Sequence, residues 1–175
     1  MSLTTQQIEN IAIDYGLVYL NYGELDQKKL GPTRGGAEFV ASKNIREIEY
    51  DGRLGKTKGM QVIDEINASL KVSVLDTSLE TLSLVMPQAE LAAGKITNTT
   101  GGVIADAKYL KNVTMFAKTV KGEYKKITLF NAMSENDFTF NAAPKEEGTI
   151  ELEIFAHWDA TNPADLYSIE DVTTI

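Results

Sequence analysis

Cysteine is absent from this 175-residue sequence, which excludes disulfides and thiolate metal sites outright. Histidine occurs once, at His157, and tryptophan once, at Trp158. One imidazole can act as a general base. No Cys nucleophile and no G-x-S-x-G serine stands anywhere for it to activate, so His157 is expected at a sheet surface or a subunit contact. No apolar run approaches the ~20 residues that a membrane-spanning helix needs. The chain does not open on a basic stretch followed by an apolar one, so no secretory signal is expected. Positive charge is the minority sign: 17 Lys and Arg stand against 25 Asp and Glu, a formal net charge of −8. An acidic chain lacks the basic footprint of a tight nucleic-acid binder.

The length fits one domain, residues 1–175, and a domain of this size can bury roughly 70% of its unfolded-chain surface without help from a metal or a disulfide. The most informative stretch is 33–76. It reads as two long strands joined by a charged loop at 48–60, where Gly52, Gly55 and Gly59 stand among Asp51, Arg53, Lys56 and Lys58. In the first strand, 37–50, the apolar residues change parity, and a bulge near Lys43 and Asn44 would reconcile them. The return strand, 60–75, alternates cleanly. Ile66, Ala68, Leu70, Val72 and Val74 share one face, and Glu65, Asn67, Ser69, Lys71 and Ser73 the other. Both strands exceed the usual ~3–10 residues.

Around this hairpin the pattern predicts mostly antiparallel strands and one main helix. Residues 4–13 begin a short helix or an arm, with Thr4 and Thr5 as candidate caps. A strand is expected at 16–22 and a loop at Gly31, Pro32, Gly35 and Gly36. Thr77 with Glu80 fits a capping box. Leu79, Leu82 and Met86 would then form the apolar stripe of a helix that Pro87 ends. Residues 88–106 read as irregular. Strands are expected at 112–119, 125–132 and 149–158, with a turn at Gly122 and a short strand carrying Phe138 and Phe140. The acidic tail, 159–175, reads as an extended arm. The expected fold is mainly β, an antiparallel β-sandwich or curled sheet with one main helix.

Several motifs invite other readings. Gly55-Lys56-Thr57 lacks the first glycine of a phosphate-binding loop, since position 50 is Tyr, and it leads into a strand instead of a helix. Glu151 and Glu153 are explained by alternation along a solvated strand. Asp159, Asp165, Glu170 and Asp171 lack the spacing of a calcium loop. The sequons at Asn67, Asn98 and Asn112 carry little weight without a secretory signal. No catalytic, metal or cofactor site is expected.

The segments Asp14-Tyr-Gly-Leu-Val-Tyr-Leu-Asn-Tyr-Gly23, Gly31-Pro-Thr-Arg-Gly-Gly36, Arg46-Glu-Ile-Glu-Tyr-Asp-Gly52, Gly55-Lys-Thr-Lys-Gly-Met60, Ala68-Ser-Leu-Lys-Val72 and Asp76-Thr-Ser78 together resemble the major tail tube proteins of long-tailed phages and prophages of Gram-positive bacteria. The resemblance covers most of the chain. It implies a virion tail protein assembled in the host cytoplasm, whose hexameric rings join their inner sheets into one ring-shaped β-barrel and stack into a tube. It implies as partners further copies of the chain, the tape-measure protein in the channel, and the tail terminator and distal tail proteins at the ends. DNA would pass through the lumen without specific binding. The hairpin loop, with Asp51, Arg53, Lys56 and Lys58, would reach the adjacent ring, and arms at 1–13 and 159–175 would add contacts.

Elementary physics is consistent with that picture. Pairing free strand edges around a closed ring removes an aggregation liability, and an acidic wall gives a passing polyanion no counterion-release gain. Glu65, Asn67, Ser69, Lys71 and Ser73 are the candidate lumen face. Strand parity sets them opposite the apolar residues but does not say which side is the channel. The inner tube of a contractile tail or tailocin shares the implied fold. A β-sandwich ligand-binding module is the competing class, but exposed aromatics on a concave face are its usual requirement, and Trp158 is the only Trp.

Overall fold

The computed structural model describes residues 4–13, 16–98, 101–139, 147–161 and 165–175. In chain order the elements are α1 (Thr5–Glu9), β1 (Leu17–Leu20), β2 (Lys28–Lys29), β3 (Thr33–Glu47), β4 (Gln61–Val74), α2 (Leu79–Val85), β5 (Ala89–Ala92), β6 (Lys95–Asn98), β7 (Leu110–Lys118), β8 (Tyr124–Ser134), β9 (Ile150–Phe155) and β10 (Tyr167–Val172). The protein is mainly β, and its strand pairs are antiparallel.

One sheet of eight strands runs in the order β2-β1-β7-β8-β9-β4-β3, with β10 also pairing β8. The sheet divides at β8. Its first half pairs with β10, and its last two residues, Met133 and Ser134, pair with β9. Between them Asn131 takes a left-handed backbone (φ 47). His157 clasps this corner: its Nδ1 lies 3.0 Å from the Asn131 carbonyl and its Nε2 2.7 Å from Glu135. The lone histidine is therefore tied into a bend of the sheet. Two leaves result, an inner leaf β2-β1-β7-β8-β10 and an outer leaf β9-β4-β3. Val18, Val113 and Leu129 from the first meet Leu70, Val72 and Leu152 from the second in one buried core.

The short helix α1 starts as the sequence predicts. Thr4 caps it and exchanges reciprocal bonds with Gln7. The main helix differs in detail. Ser78, not Thr77, is the N-cap, and its hydroxyl accepts from the Thr81 amide at 3.3 Å. Asp76 organises the turn by accepting from the Ser78 amide (2.9 Å) and the Thr81 hydroxyl (2.8 Å). With the helix started one residue later, Leu82 and Leu84 pack on the core while Leu79 stays exposed.

Three further expectations change. Residues within 88–106 form the β5–β6 hairpin, whose turn places Ala93 and Gly94 at φ 50 and 72, the two-residue geometry that matches strand twist. The 159–175 segment carries β10, laid along β8 from Tyr167↔Leu129 to Val172↔Tyr124. Phe138 belongs to no strand, and Phe140 lies outside the described residues.

The Asp76 turn predicts an acid dependence. Bonds from the Ser78 amide and then the Thr81 hydroxyl hold this carboxyl below its ordinary value of 3.8. A carboxyl depressed in the folded state stabilises the fold above its unfolded value, and the contribution is lost as pH falls through the folded value. Native protein should therefore melt above Asp76→Asn at about pH 7, with the gap narrowing as pH falls below the ordinary value of 3.8. Melting curves of the two proteins that stay parallel at every pH would exclude this role.

Candidate functional site

The β3–β4 hairpin sets out two surfaces. The first is the polar face of the outer leaf. Register places Arg34, Ser73 and Glu151 in one row, Glu38, Lys71 and Glu153 in the next, and Val40, Ser69 and Phe155 in a third. Ser42 with Asn67 and Asn44 with Glu65 continue it along the hairpin. All five residues of the candidate lumen set thus share one face.

Cross-strand bonds hold that face. The Ser73 hydroxyl donates to Glu151 at 2.6 Å, and Lys71 Nζ lies 3.3 Å from Glu153. Glu38, Glu65, Glu151 and Glu153 outnumber Arg34 and Lys71, so the face carries net negative charge. Ser69 departs from the expectation of a wetted residue. It is only 6% exposed, flanked in register by the larger Val40 and Phe155, and its hydroxyl points to Glu153 at 3.4 Å.

The second surface is the outer half of the hairpin, which leaves the sandwich altogether. The β9 partner of β4 ends opposite Ser69, while β4 continues outward to Gln61, and residues 61–67 are exposed on both faces. The expected bulge is present, but the extra residue is on the return strand. Asn44 pairs with Glu65 and Ile45 with Ile63, which leaves Asp64 unpaired in the ladder. Two residues three apart in a regular strand point to opposite faces; the bulge puts Ile63 and Ile66 on the same one. Asp64 in turn accepts from Arg46 at 2.9 Å. Ile45, Ile63 and Ile66 thus continue the core face of the leaf beyond the last β9 pairing, where the described residues leave each of them exposed. Ile66, expected under the helix, is exposed for this reason.

The loop beyond is well bonded to itself. The Thr57 amide donates to Glu47, and the Ile48 amide to the Met60 carbonyl. Arg53, expected to reach outward, is committed internally to Glu49 at 2.6 Å and Glu47 at 3.3 Å. Asp51, Lys56 and Lys58 are exposed, and Leu54 stands fully exposed beside them.

The fold has a solved counterpart. The chain aligns over 100% of its length with 100% of a chain in the structure described as "Cryo-EM structure of the anti-feeding prophage (AFP) baseplate, 6-fold symmetrised", with a TM-score of 0.52 at 12% identity. An Hcp protein crystal structure aligns with 91% of this chain and 99% of its own, with a TM-score of 0.36 at 11% identity. No protein-family model matches the sequence, and no curated protein does. At 12% identity the likeness to the baseplate chain is one of fold alone.

Sequence reasoning found the polar face because alternation writes it directly. It missed the apolar face of the projecting hairpin because the Asp64 bulge shifts Ile63 by one place. The only trace in the sequence is the pair of isoleucines three apart in an otherwise alternating strand.

Proposed function

We propose that this chain is a structural subunit of a phage-type tail tube, in which six copies form a ring and rings stack into a hollow tube. The observation that carries the reading is the projecting hairpin. Apolar side chains held out from a fold on a two-stranded arm gain most when another copy covers them. The whole-length likeness in fold to a chain of a six-fold prophage assembly supports the same reading. It assigns no chemical step to the protein.

In this reading the Glu65, Asn67, Lys71 and Ser73 face lines the channel through which the tape-measure protein and then DNA pass. Lys56 and Lys58, with Asp51, meet the adjacent ring. The tail terminator and distal tail proteins close the ends, in a virion tail assembled in the host cytoplasm. A long-tailed phage or prophage is the first setting. The inner tube of a contractile tail or tailocin is the second.

Negative-stain microscopy of the purified chain across concentration and salt tests the class, with rings and tubes as the expected product. Only monomer under all conditions, together with its absence from virus-like particles, would refute it. A cysteine label then tests the channel, and the native chain has no Cys to interfere. Because Ser69 is buried, the informative variants are Asn67→Cys and Ser73→Cys. A bulky maleimide confined to the outside should label assembled tubes at least ~10-fold more slowly than free subunits if these positions are luminal, the equivalent of about 1.4 kcal/mol of lost access. Rapid labelling along the tube wall would place this face outside.

A further inference from the structure

The free edges of the outer leaf are unequal. On one margin β3 pairs only with β4, and its outer edge has no partner among the described residues. On the other margin β8 leaves β9 after Ser134↔Ile154. Beyond that point a side chain takes over. Asn136 Nδ2 donates to the Glu151 carbonyl at 2.7 Å, and its Oδ1 accepts from the Glu153 amide at 3.1 Å. The Ser134 hydroxyl holds the same Oδ1 at 2.6 Å.

A carboxamide carries the donor and acceptor of a peptide unit. Its two bonds straddle Leu152, the residue that the β8 register places opposite Asn136, and they take the places of the carbonyl before and the amide after Asn136 in a continued antiparallel ladder. A parallel strand would use the same two groups of β9, the residue opposite Leu152 donating to the Glu151 carbonyl and accepting from the Glu153 amide. Within the leaf β3 is antiparallel to β4, and β4 to β9, so β3 runs parallel to β9. Rotation about a ring axis preserves a strand's direction along that axis. A ring that joins leaves edge to edge thus brings the β3 edge of the next copy to β9 as a parallel strand, into the bonds that Asn136 holds.

We propose that Asn136 is an edge guard: its carboxamide closes the β9 edge of the free subunit and is displaced when the β3 edge of a second copy joins β9 as a parallel strand. The identity of the partner rests on the ring reading above; the closure rests on the two bonds alone. Displacement re-pairs both β9 groups, since the incoming backbone supplies the same donor and acceptor, and Asn136, partly exposed, turns to water; its cost is the bond that the buried Ser134 hydroxyl gives up. The guard discourages pairing by stray strands, which an open edge invites.

The test uses the full chain at concentrations where it is monomeric and a labelled synthetic peptide of residues 33–47. Fluorescence anisotropy should show the peptide binding Asn136→Ala about tenfold more tightly than the native chain, the scale set by removing the competing bonds. Asn136→Asp, which keeps an acceptor for Glu153 and loses the donor, should fall between them and serves as the second variant should the alanine protein fold poorly. Amide exchange at Glu153 should quicken in both variants. Equal peptide affinity for all three proteins, or binding to none, overturns the guard. Tighter binding by the variants while no protein ever forms rings leaves the guard standing and removes the ring reading.

Discussion

If copies of this chain stack as proposed, replacing Ile45 and Ile63 together with Asp should abolish tube assembly and leave the subunit folded. The two side chains face each other across the hairpin and are 48% and 55% exposed in the single chain. They lie beyond the last β9 pairing, so the sandwich core does not depend on them. Fully burying an isoleucine contributes about 1.5–3 kcal/mol; covering the exposed halves of two contributes roughly 2 kcal/mol per copy, or about thirtyfold in association. Asp adds an unpaired charge to the contact, and every copy in the tube repeats the defect. Surface substitutions of this kind usually change subunit stability by no more than about 0.5 kcal/mol, although Asp in a strand adds up to ~1 kcal/mol of lost β-propensity. Ile45→Thr with Ile63→Thr keeps the propensity and should assemble with an intermediate threshold. Sedimentation velocity and microscopy read the outcome. Tubes of normal length at an unchanged threshold would show that this face stays uncovered in the assembly.

Leu70→Ala should produce the opposite pattern, a subunit whose fold itself is compromised. Leu70 is 0% exposed and pairs in register with Phe39 on one side and Ile154 on the other. It sits where the outer leaf closes on the inner one. Truncation removes its transfer free energy and leaves a cavity that the flanking strands cannot close, costing about 2–5 kcal/mol. That is a large share of the ~5–15 kcal/mol that holds a typical domain. At ~2–4 °C per kcal/mol for a chain of this size, the melting temperature should fall by roughly 5–15 °C. Leu54→Ala, at the exposed loop, should leave it unchanged. Circular dichroism melts separate the two, and a Leu70→Ala protein that melts with the native one would mean the two leaves do not share a core.

The contrast between these substitutions follows how the hairpin is divided. Alternation in 60–75 announces a half-buried strand, and in 68–74 the structure agrees except at Ser69: Ala68, Leu70, Val72 and Val74 are buried and Lys71 is exposed, but Ser69 is buried as well. The same alternation promised burial for Ile66 and did not deliver it. Periodicity reports which side chains share a face; it does not report whether anything stands opposite. β9 stops at Phe155, and beyond it the described residues leave Ile66, Ile63 and Ile45 exposed.

Turn chemistry was legible where a residue type demands it. Thr4 with Gln7 gives a capping box, and Gly122 (φ 91) turns β7 into β8. Ser78 displaced Thr77 as the cap because Asp76 draws in the Ser78 amide and the Thr81 hydroxyl, a preference that a short motif does not contain. The β5–β6 hairpin escaped notice because Ala89 to Ala92 holds no β-branched residue and its turn places an alanine at positive φ.

Composition by itself determined that this protein has no disulfide and no thiolate chemistry, that its single histidine has no nucleophile of an established motif to activate, and that its balance is acidic. Alternation determined a mainly antiparallel β fold with a polar and an apolar side to its longest strand. Tertiary structure decided the rest, because each remaining feature depends on residues far apart in the chain. The Asp64 bulge exists only in register with Asn44 and Ile45. The tail becomes β10 only because β8 has an edge to offer, and Asn136 meets Glu151 and Glu153 only after β8 has turned at Asn131. Local sequence sets what a strand can present; the ends of its neighbours set what is left uncovered, and it is the uncovered surfaces that point to assembly.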